Sequence, residues 1–225
     1  MKIHFYAHAS FRLEGDGLVI ITDPYTPGPE GSQYEPINEP ADIVLMSSAT
    51  DRFHSNPNHI TGDPVIVNAL EIPPEGRTIK GLHVLAYPTS ESLTYDYGRD
   101  PDANAIYLFT LGGVRILHLG DVGNALSEKY LTALQGNVDV LLALTGDRPT
   151  ISLPDLDDAI QAIEPRVIIP MHYFNERGVL KILPVTAFTE RYEPAQVTWV
   201  DGSDMEFSPE TLPSEMEIFV LKESR

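Results

Sequence analysis

The sequence predicts an α/β protein built on two β-sheets, and three observations predict it. The first half is a series of short apolar runs divided by turn residues. The second half alternates runs of helical period with short strand-like runs. No linker, repeat or low-complexity stretch separates the halves, so residues 1–225 read as a single domain. A chain of 225 residues buries roughly 70% of its unfolded surface, so it needs no staple to fold.

The elements follow in order. Ile3, Phe5 and Ala7 share one face of a first strand. Phe11 and Leu13 open a second, and Gly15-Asp16-Gly17 turns it into a third, Leu18–Thr22. Residues 24–40 hold five prolines and form a long loop carrying Tyr25 and Tyr34, of a length that usually covers a site. Ile43–Met46, Val65–Val67 and Leu82–Tyr87 are buried strands. Ala105–Thr110 and Val114–Leu119 flank Leu111-Gly112-Gly113 and make a hairpin. Ser127 caps a helix that Gly136 ends. Val138–Leu142 is a strand. Leu156, Ala159, Ile160 and Ile163 follow helical spacing, with Pro154 near the start. Val167–Ile169 is a strand, Val185, Phe188 and Tyr192 suggest a helix, and Val197–Val200 is the last strand.

Composition excludes several classes. The formal charge is −18 with no lysine or arginine cluster, which argues against nucleic acid. Cysteine is absent, so thiolate metal sites and disulfides are excluded. No leader-like segment or membrane-length apolar run is seen, so a cytoplasmic protein without a membrane partner is expected. Strand edges leave homo-oligomer formation open.

Asp51, Asp121 and His172 each follow an apolar run: residues 43–52, Val114–Asp121 and Val167–Tyr173. Loops at the ends of adjacent strands bring such ligands together, as a metal held by three or four oxygen and nitrogen donors requires. At these residues the chain resembles the metallo-β-lactamase fold, and most closely its small ascorbate-6-phosphate-lactonase-like branch. His8-Ala9-Ser10-Phe11 is similar to the first-strand signature and Thr22-Asp23-Pro24 to the turn after the third strand. Leu117-His118-Leu119-Gly120-Asp121 is similar to the bridging-ligand strand, and Pro165–Tyr173 to the strand ending in the last histidine ligand. The resemblance implies a four-layer αββα sandwich of two mixed β-sheets flanked by helices.

It also implies a damaged metal site. The family's H-x-H-x-D-H motif falls on Ser47-Ser48-Ala49-Thr50-Asp51-Arg52, and a further histidine falls near Pro88. One metal position thus loses all its histidines. The other keeps Asp51, Asp121 and His172, with Arg52 in place of its fourth ligand. Arginine cannot ligate a metal. Turned inward, its guanidinium pairs with Asp51 and Asp121 and repels a divalent ion, at about 4 kcal/mol per unit charge at 4 Å. Turned outward, it leaves room for one metal.

The remaining candidates carry two readings each. His54 lies two residues beyond Arg52 and is either a substitute ligand or a loop residue. His8 either hydrogen-bonds a ligand or packs structurally. Asp23 either orients a site group or stabilises a turn. His118 reads as structural, and His4, His59 and His83 as ordinary residues. Ser47 and Ser48 lack a nucleophile elbow. Tyr95, Tyr97 and Arg99 lie in a polar loop that could meet an anion. The expectation is a hydrolase-like protein with an eroded zinc site, a pseudoenzyme binding a small ligand or partner. A hydrolase of a lactone, ester or phosphoester with one metal is the alternative, and a structural or oligomer-forming domain the third. The cofactor is expected to be none, or at most one zinc or manganese ion.

Overall fold

The computed structural model describes residues 1–28, 31–91 and 103–225. Its strands and helices run β1 (Lys2–Ala7), β2 (Ser10–Gly15), β3 (Leu18–Thr22), β4 (Ile43–Met46), β5 (Val65–Asn68), β6 (Arg77–Ile79), β7 (Leu82–Thr89), β8 (Asn104–Leu111), β9 (Val114–His118), α1 (Glu128–Leu134), β10 (Val140–Leu144), α2 (Leu153–Ile163), β11 (Val167–Met171), α3 (Thr186–Thr189), β12 (Val197–Trp199), β13 (Asp204–Glu206) and β14 (Glu217–Val220). They form two mixed sheets with helices, the α/β arrangement expected from the sequence. One has the order β13-β1-β2-β3-β4-β5 and the other β12-β14-β11-β10-β9-β8-β7-β6. Among the described residues no helix is long and apolar enough to cross a membrane.

The two-residue period of a strand assigns its side chains to faces. Ile3, Phe5, Phe11, Leu13, Ile20, Ile43 and Leu45 point inward and share one buried cluster with Ile116, Leu141, Leu142 and Ile168 of the second sheet. Ile21, Val44 and Met46 point the other way. There, residues of the proline-rich loop (Tyr25, Tyr34, Ile37, Ala41) cover them in a second cluster. His59 clasps this loop: its ring accepts from Ile37 N–H and bonds Tyr25 O. Ala7 joins the second cluster rather than the face of Ile3 and Phe5, because a register shift between Phe5 and Ala7 reverses the alternation.

The second half is wound as expected. Ser127 caps α1 and Ser152 caps α2, with Pro154 in the first turn. The strand placed at Val138–Leu142 begins two residues later. Asn137 N–H still bonds Leu134 O, and Asp139 is held by Arg115 through both oxygens. The helix suggested by Val185, Phe188 and Tyr192 is a single turn, because Pro184 and Pro194 bracket it. The terminal segment weaves between the sheets: β12 and β14 lie in one and β13 in the other. Ser224 N–H then bonds Phe5 O and Tyr6 O, fastening the chain end across β1.

Candidate metal centre

Five side chains converge where β1, β4, β9 and β11 end: His8, Asp51, His54, Asp121 and His172. All are buried. Two of them, and Asp23 behind them, sit on backbone that L-residues seldom adopt, with φ of 59° at His8, 52° at His172 and 34° at Asp23. Such conformations cost about 1–3 kcal/mol each and persist only where the surroundings hold them. Here the hold is visible, since His172 N–H donates to His8 O at 2.8 Å and fixes two site residues together.

The loop after β4 is built by Asp51. Its Oδ1 accepts from the N–H groups of Phe53 and His54, folding the chain back in an Asx turn. Arg52 and Phe53 bulge outward and the His54 ring returns inward. His54 Nε2 lies 3.5 Å from Asp51 Oδ1 and 3.3 Å from Asp121 Oδ2. On the far side, His172 Nε2 lies 3.3 Å from Asp121 Oδ1. Asp121 thus presents one oxygen to each histidine. Its own backbone is pinned by Asn104 Oδ1, which accepts from Asp121 N–H at 2.7 Å.

Behind the cluster stands Asp23. Its Oδ1 accepts from Ser47 N–H and Ser47 Oγ–H at 2.7 and 2.9 Å, and its Oδ2 accepts from Tyr107 at 3.1 Å. His54 Nδ1 is 3.7 Å from Asp23 Oδ1, just beyond a hydrogen bond. His118 lies beneath, stacked on Tyr107 at 4.8 Å, bonding Ala9 O and accepting from Gly120 N–H. Gly120 (φ +58°) approaches so closely that a Cβ there would fall 2.5 Å from Ser47 Cβ. Gly120 and Ser47 are thus packed in direct contact, while Ala49 and Pro88 are exposed.

Electrostatics divide the imidazoles. Burial opposes charge on His54, but the carboxylates of Asp51, Asp121 and Asp23 outweigh it and raise its pKa well above the ordinary value. Burial also works against the Asp121 carboxylate, yet His172 and His54 hold its pKa far below the usual range. His8 is pushed well down by burial and by its histidine neighbours. His172 and His118 are lowered, chiefly by burial.

The donors fit a metal. Both His54 ring nitrogens, Asp121 Oδ1 and His172 Nδ1 are buried with no hydrogen-bond partner. Orphaned polar atoms of this kind call for an explanation. One ligand atom each from Asp51, His54 and Asp121 lies within 4.8 Å of the others. Two ligands each about 2.0–2.1 Å from a tetrahedral ion stand about 3.3 Å apart, close to the separations of 3.3–3.5 Å seen here.

Of the residues singled out in the sequence, the structure gathers His8, Asp51, His54, Asp121 and His172, with Asp23 and Ser47 behind them. Arg52 does not join: of the two directions left open for its side chain, the structure has the outward one. Arg52 is exposed, with its guanidinium 5.6 Å from the Phe53 ring centroid on a surface shared with Thr26, Ser55 and Asn56. The physical reason is the Asx turn, which sends the residue after Asp51 outward. Ser47 and Ser48 pair with Asp23 and Thr50 rather than with an imidazole. Asn104 and Tyr107 were missed, since nothing local in a buried strand marks them. Tyr95, Tyr97 and Arg99 lie outside the described residues.

Comparison with known proteins defines the class. The chain belongs to the β-lactamase superfamily domain family, whose model matches residues 2–172. It is similar to a UPF0173 metal-dependent hydrolase of Carboxydothermus hydrogenoformans, 27% identical over 203 residues, covering 77% of this chain and 84% of the relative. A UPF0173 metal-dependent hydrolase of Thermococcus onnurineus is 27% identical over 202 residues, with the same coverage of 77% and 84%. Among solved structures, a protein of Thermotoga maritima described as a Zn-dependent hydrolase of the metallo-β-lactamase superfamily superposes with a TM-score of 0.75. It is 26% identical, covering 98% of this chain and 97% of that one.

Proposed function

We propose that this protein is a hydrolase that works with one divalent metal ion, held by Asp51, His54 and Asp121 with His172 on the second oxygen of Asp121. The observation that carries the reading is a buried cluster in which the facing atoms of Asp51, His54, Asp121 and His172 stand 3.3–3.5 Å apart and His54 Nε2 and Asp121 Oδ1 have no hydrogen-bond partner. A donor set of imidazole and carboxylate suits zinc or manganese. When bound, such an ion polarises a carbonyl or phosphoryl oxygen and acidifies water.

The protein's own residues do the rest. Asp51 shapes the turn that aims His54. Asp23, braced by Ser47 and Tyr107, stands as a fixed negative charge behind the His54 ring, the kind of outer partner that keeps a ligand in place. Asn104 fixes the backbone of Asp121. The resemblance places Ser47, Ala49 and Pro88 where the neighbouring metal position would need histidines, so one ion rather than two is expected. With the Arg52 side chain at the surface, the inward arginine that the pseudoenzyme reading invoked is not the group that meets Asp121.

The test is metal analysis of the purified chain, followed by zinc and manganese titration and a hydrolase screen on esters, lactones, amides and phosphoesters. One equivalent of metal and a metal-dependent rate abolished in Asp121→Asn are expected. A chain that takes up no metal refutes the reading.

A further inference from the structure

A second arrangement of polar side chains stands apart from the metal centre, on the outer face of the first sheet. Strand β1 sends Ile3 and Phe5 into the core and turns His4 and Tyr6 to the other side, where their rings meet edge to face at 4.9 Å. β13 pairs antiparallel with β1 and sets Asp204 directly across from His4. The segment 221–225 then runs along β1: Ser224 N–H bonds Phe5 O and Tyr6 O, and Arg225 N–H bonds Tyr6 O. Three stretches of chain far apart in sequence thereby bring a serine, a histidine and an aspartate into line.

The line is continuous. Ser224 Oγ lies 2.8 Å from His4 Nε2, and His4 Nδ1 lies 3.0 Å from Asp204 Oδ1. Partial burial works against charge on Asp204, but hydrogen bonds from His4 and Lys2 outweigh it and hold its pKa below the usual range. Lys2 Nζ stands 3.2 Å from the same oxygen. An ionised carboxylate can only accept, so His4 Nδ1 carries a proton and donates it to the bond. The Nε2 lone pair is then free to accept from the Ser224 hydroxyl. In that tautomer an imidazole can take the proton of an attacking oxygen.

Two features bound what the arrangement can do. The N–H groups of Ser224 and Arg225 are spent on β1 carbonyls, so neither is left to hold an oxyanion. Asp204 has 49% of its side chain in solvent, where its charge is screened. Such a site suits an acyl donor whose leaving group departs readily, and not an ordinary amide. His4 is itself partly open to solvent and Ser224 is half-buried, so a small donor can reach them.

We propose that Ser224 is an acylation site, its hydroxyl activated by His4 and the His4 ring oriented by Asp204, and that it takes acyl groups from activated donors of the phenyl ester or thioester class. Ser224 Oγ bonds the carbonyl carbon of the donor, and its proton passes to His4 Nε2. The C–O or C–S bond of the donor breaks, and the leaving group takes that proton. The products are an ester on Ser224 and a free phenol or thiol. No metal takes part, so the proposal stands independently of the one-metal hydrolase reading.

The test uses the full chain, stripped of metal by a chelator, with p-nitrophenyl acetate as the probe. Nitrophenolate release gives the rate and peptide mass mapping gives the position of the acetyl group. One acetyl group per chain, on Ser224, is expected. His4→Gln keeps a hydrogen bond to Ser224 but cannot take its proton, and should slow acetylation about a hundredfold. Asp204→Asn, a second variant at an exposed strand position, should slow it about tenfold, less because a screened carboxylate contributes less. Acetyl groups confined to lysines, or equal rates on Ser224 in wild type and His4→Gln, overturn the proposal. An unchanged rate in Asp204→Asn removes Asp204 from it. Zinc-dependent nitrophenolate release that leaves no acetyl group on Ser224 also overturns it, while supporting the separate reading of the metal centre.

Discussion

His54 Nε2 lies 3.3 Å from Asp121 Oδ2, although the two residues come from different sheets and stand 67 positions apart. Neither of them finds this contact by local propensity. The Asx turn at Asp51 delivers the first, and Asn104 holding the backbone of Asp121 delivers the second. The pair is buried, and both ring nitrogens of His54 lack a hydrogen-bond partner. Desolvating a charged pair without satisfying its remaining atoms is expensive unless another charge completes the set.

The first consequence concerns His54 as a ligand. His54→Gln should still fold, since it keeps a hydrogen-bonding side chain beside the buried carboxylates of Asp51 and Asp121, which His54→Ala would leave without their partner. It should lose zinc affinity by more than the roughly 10–100-fold typical of an outer partner. Calorimetric zinc titration of wild type and variant measures this. Equal affinities would show that His54 is a packed histidine.

Arg52 gives the opposite expectation. It is exposed and lies against Phe53. Arg52→Ala should therefore change zinc affinity by less than about threefold, a surface-charge effect that weakens further with salt. An inward guanidinium predicts instead a gain of several decades, because about 4 kcal/mol per unit charge of repulsion would vanish. The same titration separates the two.

These two residues mark how far the sequence could be read. The alternation in β3 and β4, the Gly112-Gly113 hairpin and the serine caps of α1 and α2 are local signals, and they gave the sheets and helices directly. Asp121 and His172 were legible because each ends a buried strand. His54 was ambiguous, since a two-residue bulge decides which side chain returns, and that depends on Asp51 closing a turn. Asn104 and Tyr107 were illegible, because their partners, Asp121 and Asp23, are distant in sequence. The short strands β6 and β13 have no apolar run of their own and form by pairing with β7 and β1.

Asp23 is the centre of the buried polar network. Asp23→Ala removes the acceptor for Ser47 N–H, Ser47 Oγ and Tyr107 at once, leaving buried donors unpaired. A loss of about 3–5 kcal/mol is expected, as for breaking a buried charged partner. Asp23→Asn keeps the shape and should retain most of the stability, while zinc affinity falls roughly 10–100-fold because the charge behind His54 is gone. Urea unfolding with zinc titration on both variants checks the split. Equal effects on stability and metal in the two variants would argue against an orienting role.

Glu223 makes stability depend on pH in a direction opposite to most carboxylates. Burial raises its pKa to about 7, with Arg177 and the His8 N–H only partly offsetting the effect. Asn175 donates to it, and Tyr34 and Tyr173 face it along with Arg177. A carboxyl whose pKa is higher folded than unfolded binds its proton more tightly in the native state. Its contribution is thus fully present below the ordinary value near 4.5 and is lost as pH rises through about 7. A shift of that size corresponds to about 3 kcal/mol. Glu223→Gln, neutral at every pH, should therefore gain stability relative to wild type by up to about 3 kcal/mol between pH 4 and 8. Urea unfolding of both proteins across that range measures the difference. A difference that stays constant, or that falls with rising pH, would mean that Glu223 ionises freely in the folded chain and that its hold on His8 is not electrostatically strained.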